Sequence, residues 1–155
     1  MPSLTIFLDV SVILSGLASP TGGSGKVLEA ARQQKLRLLT TPPVVEEVNR
    51  HLGKLKIIPD ELHRLLFSKT VRLLANPSEE MIKKFRQVCH DPDDAHVLAG
   101  AGMSGADVLL SLDKKHILVP NVQKALQPMS VKSPESFWRG LQKKTYTAHI
   151  MKSPR

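Results

Sequence analysis

Carboxylates follow the short apolar segments of this sequence at several points. They are Asp9, Glu46, Glu47, Asp113 and, in one group, Asp91, Asp93 and Asp94. Parallel strands end at the same edge of a sheet and ligands bind at that edge, so we expect such side chains to meet in one cleft. Asp9 is the clearest candidate, because an acid directly after the apolar run 4–8 is costly unless its charge has partners.

The surrounding protein is basic, which makes a cleft of carboxylates unexpected. Lys and Arg number 22 against 14 Asp and Glu, so the formal net charge is +8. Clustered carboxylates repel one another unless a divalent cation neutralises them, and Mg²⁺ or Mn²⁺ takes such hard oxygen ligands. A cation held in this way can activate water toward a phosphodiester. The positive surface suits a polyanion such as nucleic acid.

Structural roles compete for some of these acids. Asp91 precedes a proline, which is typical of an N-cap residue, and Asp93 in the first turn suits the helix dipole. We therefore interpret Asp91 as a helix cap and Asp93 as a first-turn acid stabilised by the dipole. Glu47 lies nearer than Glu46 to the apolar side of its predicted helix, where a side chain can point into a cleft. Both glutamates remain candidates on the residues alone.

The elements that must position these residues alternate between strand and helix patterns. Strands are predicted at 4–8, 36–39, 71–74 and 108–112, with a fifth at Val131, and helices at 26–34, 42–52, 60–67, 78–88, 93–102 and 134–141. This alternation predicts an α/β sandwich around a mostly parallel sheet of four to five strands. The stretch 15–25 is rich in Gly, Ser and Pro and is interpreted as a turn. Small residues along 93–102 predict close packing on the sheet.

Length and composition limit the class of protein. A chain of 155 residues suits one domain, which we place at 1–141. The segment 142–155 is basic and lacks apolar periodicity, so we expect a loosely held tail. No apolar run is long enough to cross a membrane, no signal-peptide pattern opens the sequence, and the single Cys89 cannot form an internal disulfide. These features predict a cytoplasmic protein without membrane association.

Four segments resemble, in order, the motifs of PIN domains, the family of the VapC-type metal-dependent ribonucleases. They are LDVSVILSG from Leu8, PVVEEV from Pro43, DPDDAHVLA from Asp91 and ADVLLSLD ending at Asp113. The segment Val131–Phe137 resembles the closing strand and helix of that family. The resemblance extends over about residues 4 to 141, and it implies a PIN-like three-layer sandwich.

The resemblance also implies roles for individual residues. The catalytic acids are implied to be Asp9, Glu47, Asp94 and Asp113. Of these, Asp9, Asp94 and Asp113 would hold one or two Mg²⁺ or Mn²⁺ ions, and Glu47 would help deprotonate the attacking water. The supporting residues are Ser11, Ser111, Glu46 and Asp91. Ser11 stands where the family commonly has Asn, and its hydroxyl can still form a hydrogen bond.

The function implied by the resemblance is hydrolysis of phosphodiester bonds in RNA by an endoribonuclease. The cations available to contact phosphates are Lys26, Arg50, Lys54 and Lys114. A VapC-type toxin would in addition form a homodimer and bind a small antitoxin, a segment of which occupies the cleft. PIN domains also occur as processing nucleases without an antitoxin.

Two other functions stay open. A PIN-like domain without catalytic activity could bind RNA or a protein partner, although the presence of all four acids disfavours a degenerate site. The segment 9–12 also faintly resembles the opening of haloacid-dehalogenase-type phosphatases, where the first acid is the nucleophile. That family expects a second acid where Ser11 stands.

Two further patterns do not indicate sites. The segment 22–26, GGSGK, resembles a phosphate-binding loop but lacks its first glycine, since Pro20 stands there, and its final Ser or Thr. Cys89, His90 and His96 fit no standard zinc-ligand spacing. We interpret the first segment as a turn leading into a helix.

Overall fold

A five-stranded parallel sheet forms the centre of the structure, a computed structural model that describes residues 3–152 and the side chains of residues 3–144. Its strands are β1 (Leu4–Leu8), β2 (Leu36–Thr40), β3 (Val71–Leu73), β4 (Val108–Leu110) and β5 (Ser130–Lys132). They lie in the order β3-β2-β1-β4-β5. The chain thus adds β2 and β3 on one side of β1, and then β4 and β5 on the other side. The crevice expected to bind ligands therefore lies at the carboxyl ends of β1 and β4.

Within residues 3–152, eight helices surround the sheet. They are α1 (Val10–Ala18), α2 (Gly23–Arg32), α3 (Pro42–His51), α4 (Pro59–Phe67), α5 (Glu79–Arg86), α6 (Ala95–Ser104), α7 (Pro120–Leu126) and α8 (Pro134–Lys152), with 3₁₀ turns at Gly53–Leu55 and Pro92–Asp94. This architecture confirms the predicted α/β sandwich around a parallel sheet. No helix within residues 3–152 combines the length and the apolar character needed to cross a membrane.

The core of the protein lies on both faces of β1. Ile6, Phe7 and Leu8 are fully buried, as a parallel strand covered by helices requires. The small residues of α6 allow this helix to approach the sheet closely. A Cβ atom on Gly100 would lie 2.9 Å from Phe7 Cζ and 2.9 Å from Thr41 Cγ2. The packing predicted for this helix is therefore present.

Two helices were absent from the sequence prediction, and one began too late. The predicted turn 15–25 overlaps the last four residues of α1, where Gly16 lies against Leu28 and so serves interhelix contact rather than a turn. The next helix begins at Gly23 and not at Lys26. α7 was missed because its pattern of buried residues is short, with only Val122 and Leu126 buried.

The C-terminal helix continues past the predicted domain boundary. α8 runs without interruption from Pro134 to Lys152, so no end of an element lies at residue 141. Its first turns are held by Phe137, which is buried, and by Trp138, whose Nε1 donates to the Gly23 carbonyl at 3.0 Å. The boundary at 141 and the loosely held tail stay predictions, and residues 153–155 lie outside the described part of the chain.

Candidate active site

Asp9 lies at the junction of β1 and α1, where the register of the sheet sets its surroundings. Leu8 pairs with Leu110 across the two strands, so the residues that follow them, Asp9 and Ser111, come side by side. The Asp9 amide donates to the Leu110 carbonyl at 3.1 Å, which extends the pairing by one residue. The carboxylate caps α1, since its Oδ1 accepts from the Val10 amide at 2.7 Å. The end of a strand and the start of a helix thus fix this acid.

Two serine hydroxyls hold the other oxygen of Asp9. Ser111 donates to Oδ2 at 2.6 Å and Ser11 donates to it at 3.0 Å. The residue is only 7% exposed, and this burial raises the pKa of Asp9 above its ordinary value, while the hydrogen bonds oppose the rise. A carboxylate offers about four acceptor positions. Together with the bond from Val10, the two serines occupy three of these positions, which leaves one for a cation.

The same serines connect Asp9 to the loop after β4. Ser11 Oγ accepts from the Leu112 amide at 3.0 Å, and Ser111 Oγ accepts from the Asp113 amide at 3.0 Å. Each hydroxyl therefore donates to the first acid and accepts from the segment that carries the last one. This network links Asp9 to the Asp113 segment and gives both serines, expected only as supporting residues, a positioning role.

Asp113 closes a tight turn with its own side chain. Its Oδ1 accepts from the amides of Lys115 and His116, at 3.1 and 3.0 Å. Its Oδ2 lies 3.3 Å from Nδ1 of His116. One oxygen of this acid thus shapes the loop, and the other faces a potential ligand nitrogen.

Asp94 carries the least satisfied oxygen of the site. Its Oδ2 is buried and has no hydrogen-bond partner among the described residues. Burial, and after it the charges of Asp113, Asp91 and Asp9, raise the pKa of Asp94 to about 6, and only His116 opposes this. An unpaired oxygen amid like charges is the arrangement that a divalent cation stabilises.

Asp94, Asp113 and His116 form the candidate metal group. One ligand atom from each residue lies within 4.8 Å of the other two. Carboxylate oxygens suit Mg²⁺ and Mn²⁺, and an imidazole nitrogen suits Mn²⁺. The orphaned Asp94 oxygen and this set of donors therefore fit the divalent cation that the sequence predicts, without deciding which one.

The two candidate glutamates of α3 differ in what they face. Glu46 is exposed, whereas Glu47 is half-buried and its Oε1 lies 3.8 Å from Nε2 of His96 on α6. α3 and α6 pack together, so Glu47 faces the helix that follows Asp94. The geometry favours Glu47 over Glu46, although Glu47 lies outside the candidate metal group.

Asp91 takes the capping position predicted for it, and Asp93 lies in the first turn, as expected. Asp91 is the N-cap of the 3₁₀ turn, and its Oδ1 accepts from the Asp93 amide at 3.0 Å. Asp93 itself is exposed. Asp91 nevertheless acts on the site through its charge, since it helps to raise the pKa of Asp94.

The two patterns set aside in the sequence have structural roles. Within the described residues, Cys89, His90 and His96 do not assemble into a group that could hold a metal. Burial, together with the charges of two nearby aspartates, raises the pKa of the Cys89 thiol to about 11, which keeps it protonated and a poor ligand. In the glycine-rich segment, a Cβ on Gly25 would collide with the Pro20 carbonyl. This glycine serves close backbone packing.

The four predicted phosphate-binding cations are all exposed and lie on different elements. Lys26 is on α2, Arg50 is near the end of α3, Lys54 is in the 3₁₀ turn Gly53–Leu55, and Lys114 follows Asp113. Lys114 adjoins a site acid directly, and Arg50 lies about one turn after Glu47. The other two have no such neighbour in the sequence. Lys114 and Arg50 are therefore the stronger candidates.

A parallel α/β sandwich with carboxylates gathered at the carboxyl ends of β1 and β4 defines the class of this protein. A model of the PIN domain family matches residues 5–115, a range that contains Asp9, Glu47, Asp94 and Asp113. The chain belongs to this family. The resemblance found in the sequence is thereby confirmed, and membership of this family disfavours the haloacid-dehalogenase alternative.

Two relatives extend this comparison. The uncharacterized protein MJ1680 of Methanocaldococcus jannaschii is 25% identical over 147 residues, covering 86% of this chain and 89% of that protein. The crystal structure of VapC20 of Mycobacterium tuberculosis, a toxin that cleaves the sarcin-ricin loop, superposes with a TM-score of 0.53. The alignment covers 71% of this chain and 91% of VapC20, at 18% identity, so it shows a shared fold.

His116 is the residue of the site that the sequence analysis missed. It lies three residues after Asp113 and one residue beyond the family match, in a segment where two lysines suggest a solvated turn. The signal that could have found it is local. An Asp whose side chain caps a turn brings the residue at i+3 back toward itself, as the bond from the His116 amide to Asp113 Oδ1 shows.

Proposed function

We propose that this protein is a divalent-metal-dependent nuclease that hydrolyses phosphodiester bonds within RNA strands. The observation that carries the proposal is Oδ2 of Asp94, which is buried beside Asp113 and His116 and has no hydrogen-bond partner in the described part of the chain. Membership of the PIN family supports a nuclease, and the fold shared with an RNA-cleaving toxin supports RNA as the substrate. The net charge of +8 favours a polyanionic substrate in any case.

Each acid has a distinct task in this proposal. Asp94 and Asp113 would bind Mg²⁺ or Mn²⁺ directly, and Asp9 would do so through its one remaining acceptor position, directly or through water. A bound cation would supply Lewis acidity toward the phosphate and the attacking water. Ser11 and Ser111 hold Asp9 and the Asp113 loop in register, so that the acids need not reorganise when the substrate binds.

We assign proton transfer and substrate positioning to residues around the candidate metal group. Glu47, half-buried and close to His96, would accept the proton of the attacking water. Lys114 and Arg50 would bind phosphates on either side of the scissile bond without reading base sequence. Lys114 directly follows Asp113 in a basic turn. A phosphate bound by Lys114 would therefore lie close to the metal site.

Cleavage of RNA by the purified protein tests this proposal. The substrates are structured and single-stranded RNA, each incubated with Mg²⁺, with Mn²⁺ and with chelator. We expect cleavage with a metal ion only, and a loss of at least about 100-fold in Asp94→Asn. The matched control is Asp93→Asn, which removes an exposed neighbouring charge and should keep the parental rate.

Other results would support a different function. If the folded parent cleaves no RNA and its melting temperature does not respond to metal, catalysis is excluded. If the parent and Asp94→Asn then bind RNA alike, the protein is a PIN-like RNA-binding module.

We also propose a cytoplasmic homodimer, with a small antitoxin as a partner if the chain is the toxin of a toxin–antitoxin pair. The fold shared with VapC20 supports this extension. Light scattering of the purified chain should give the mass of two copies. Expression of the parent should arrest growth, whereas Asp94→Asn should be tolerated. Growth that is unaffected by an active nuclease would favour an RNA-processing enzyme instead.

A further inference from the structure

We propose that His116 is a direct nitrogen ligand of the cation in this site, and that this ligand makes the site select Mn²⁺ over Mg²⁺. The inference rests on the proposed function, because it concerns the ion bound between Asp94 and Asp113. It adds a fifth functional residue to the four acids that the family resemblance implies, and one that lies outside the matched range of residues 5–115.

The distances around His116 suit a shared ion. Its Nδ1 lies 3.3 Å from Asp113 Oδ2 and 3.8 Å from Asp94 Oδ2. Ligand atoms at right angles around an ion, each about 2.1 Å from it, are separated by about 3 Å, and opposite ligands by about 4 Å. Both observed separations fall within that range. One ligand atom from each of the three residues lies within 4.8 Å of the other two, so small side-chain movements would bring all three around one cation.

The backbone of His116 is held in place, while its Nδ1 has no hydrogen bond among the described residues. The His116 amide donates to Asp113 Oδ1 at 3.0 Å, which fixes the residue in the turn. Nδ1 lies close to an oxygen of each carboxylate, and neither contact is a hydrogen bond among the described residues. Two carboxylate oxygens and one ring nitrogen thus converge on the same space, and one of these oxygens, Asp94 Oδ2, has no hydrogen-bond partner among the described residues.

An imidazole ligand stabilises some bound ions more than others. Mg²⁺ prefers oxygen ligands and keeps much of its water, whereas Mn²⁺ and the later divalent metals gain from a nitrogen ligand. Removing the ring should therefore weaken binding of Mn²⁺ by about tenfold and change binding of Mg²⁺ by less than about threefold. A histidine that acted only as a positive counter-ion would not distinguish between the two metals.

Electron paramagnetic resonance of Mn²⁺ bound to the full chain tests this ligand directly. Echo-modulation spectra of the parent should show coupling to a nitrogen nucleus, and protein labelled with ¹⁵N only at histidine should shift that modulation to the ¹⁵N frequency. The modulation should disappear in His116→Ala. It should persist in His63→Ala, the matched control on α4, and in His96→Ala, the other histidine near the site.

The outcomes separate this inference from the proposed function. Bound Mn²⁺ without histidine modulation, or modulation lost in His96→Ala instead, overturns the assignment to His116 and leaves a metal-dependent nuclease intact. Equal loss of Mg²⁺ and Mn²⁺ affinity in His116→Ala overturns the selectivity. Failure of the parent to bind either metal overturns the inference and the proposed function together. The isotope experiment uses the parent sequence, so its result does not depend on how well a variant folds.

Discussion

At the scale of single residues, the acids of the site differ in how far hydrogen bonds satisfy their carboxylate oxygens. Asp9 has nearly all its acceptor positions filled, while Asp94 has a buried oxygen that no described residue hydrogen-bonds. The sequence was sufficient to nominate both acids, because their motifs carry the family resemblance. It could not nominate His116, because the role of that residue depends on how one turn folds back on Asp113. Short motifs thus identify the acids, whereas the three-dimensional structure is needed to identify His116 beside them.

The raised pKa of Asp94 predicts a stability cost in the absence of metal. The native pKa of about 6 lies above the ordinary value of 3.8 for Asp, so stability from this group is fully present below about pH 4 and is lost as pH rises through 6. Asp94→Asn should therefore unfold less easily than the parent at about pH 7.5 in chelator, by about 1 to 2 kcal/mol, since the partly exposed side chain reduces the effect. Urea unfolding of both proteins at about pH 4 and at about pH 7.5 measures the difference in the free energy of unfolding.

Mg²⁺ should reverse that order. The cation binds only the folded parent and raises its melting temperature, while Asp94→Asn should respond weakly. A variant no more stable than the parent in chelator at neutral pH would show that the Asp94 charge carries no such cost.

The serine network predicts that Ser111 matters to folding as well as to the site. Ser111 is fully buried, donates to Asp9 Oδ2 and accepts from the Asp113 amide. Ser111→Ala leaves both groups without this partner and should destabilise the protein by about 1 to 3 kcal/mol. RNA cleavage should fall as well. Exposed Ser136 provides the matched control, and Ser136→Ala should change neither quantity. Full stability and full activity in Ser111→Ala would assign the positioning of Asp9 to Ser11 and the helix cap alone.

At the scale of elements, the sequence predicted the strands better than the helices around the glycine-rich segment. β1 was evident because an unbroken apolar run is typical of a strand buried on both faces. α1 and the start of α2 were not, because Gly16 and Gly25 are typical of turns and yet lie inside helices here. Their role is contact between elements, which a local pattern does not contain. The same limit applies to α7, which is only seven residues long.

This explanation predicts opposite responses at two glycines. A Cβ on Gly25 would collide with the backbone carbonyl of Pro20, whereas nothing lies within 4 Å of a Cβ on Gly53. Gly25→Ala should lower the free energy of unfolding by about 1 to 3 kcal/mol, because backbone cannot yield as a flexible side chain can. Gly53→Ala should be neutral or slightly stabilising, since alanine restricts the unfolded chain. Denaturant midpoints of the two variants measure this contrast, and equal midpoints would show that the Pro20 turn adapts freely.

At the scale of the whole molecule, the distribution of charge separates binding from chemistry. The chain carries a net charge of +8, yet the carboxyl edge of its sheet collects acids. An acidic site can attract RNA only if cations at its rim and a bound metal outweigh the carboxylates. Composition alone indicated a polyanion partner, but not where it would bind, because exposed lysines and arginines occur on many of the elements.

Substitutions of Lys114 and Lys35 test whether RNA binds beside the acidic site or anywhere on the positive surface. Both are exposed, but Lys114 follows Asp113 at the carboxyl edge of the sheet, and Lys35 precedes β2 at the opposite edge. In an Asp94→Asn background that prevents cleavage, Lys114→Ala should weaken RNA binding several-fold for all sequences. It should also reduce the slope of log affinity against log salt by about one. Lys35→Ala should change neither quantity, because a phosphate bound at the site lies across the sheet from it. Fluorescence anisotropy over a series of salt concentrations measures both effects. Equal losses in the two variants would mean that RNA binds the basic surface at large, so that the acidic edge is not where the strand lies.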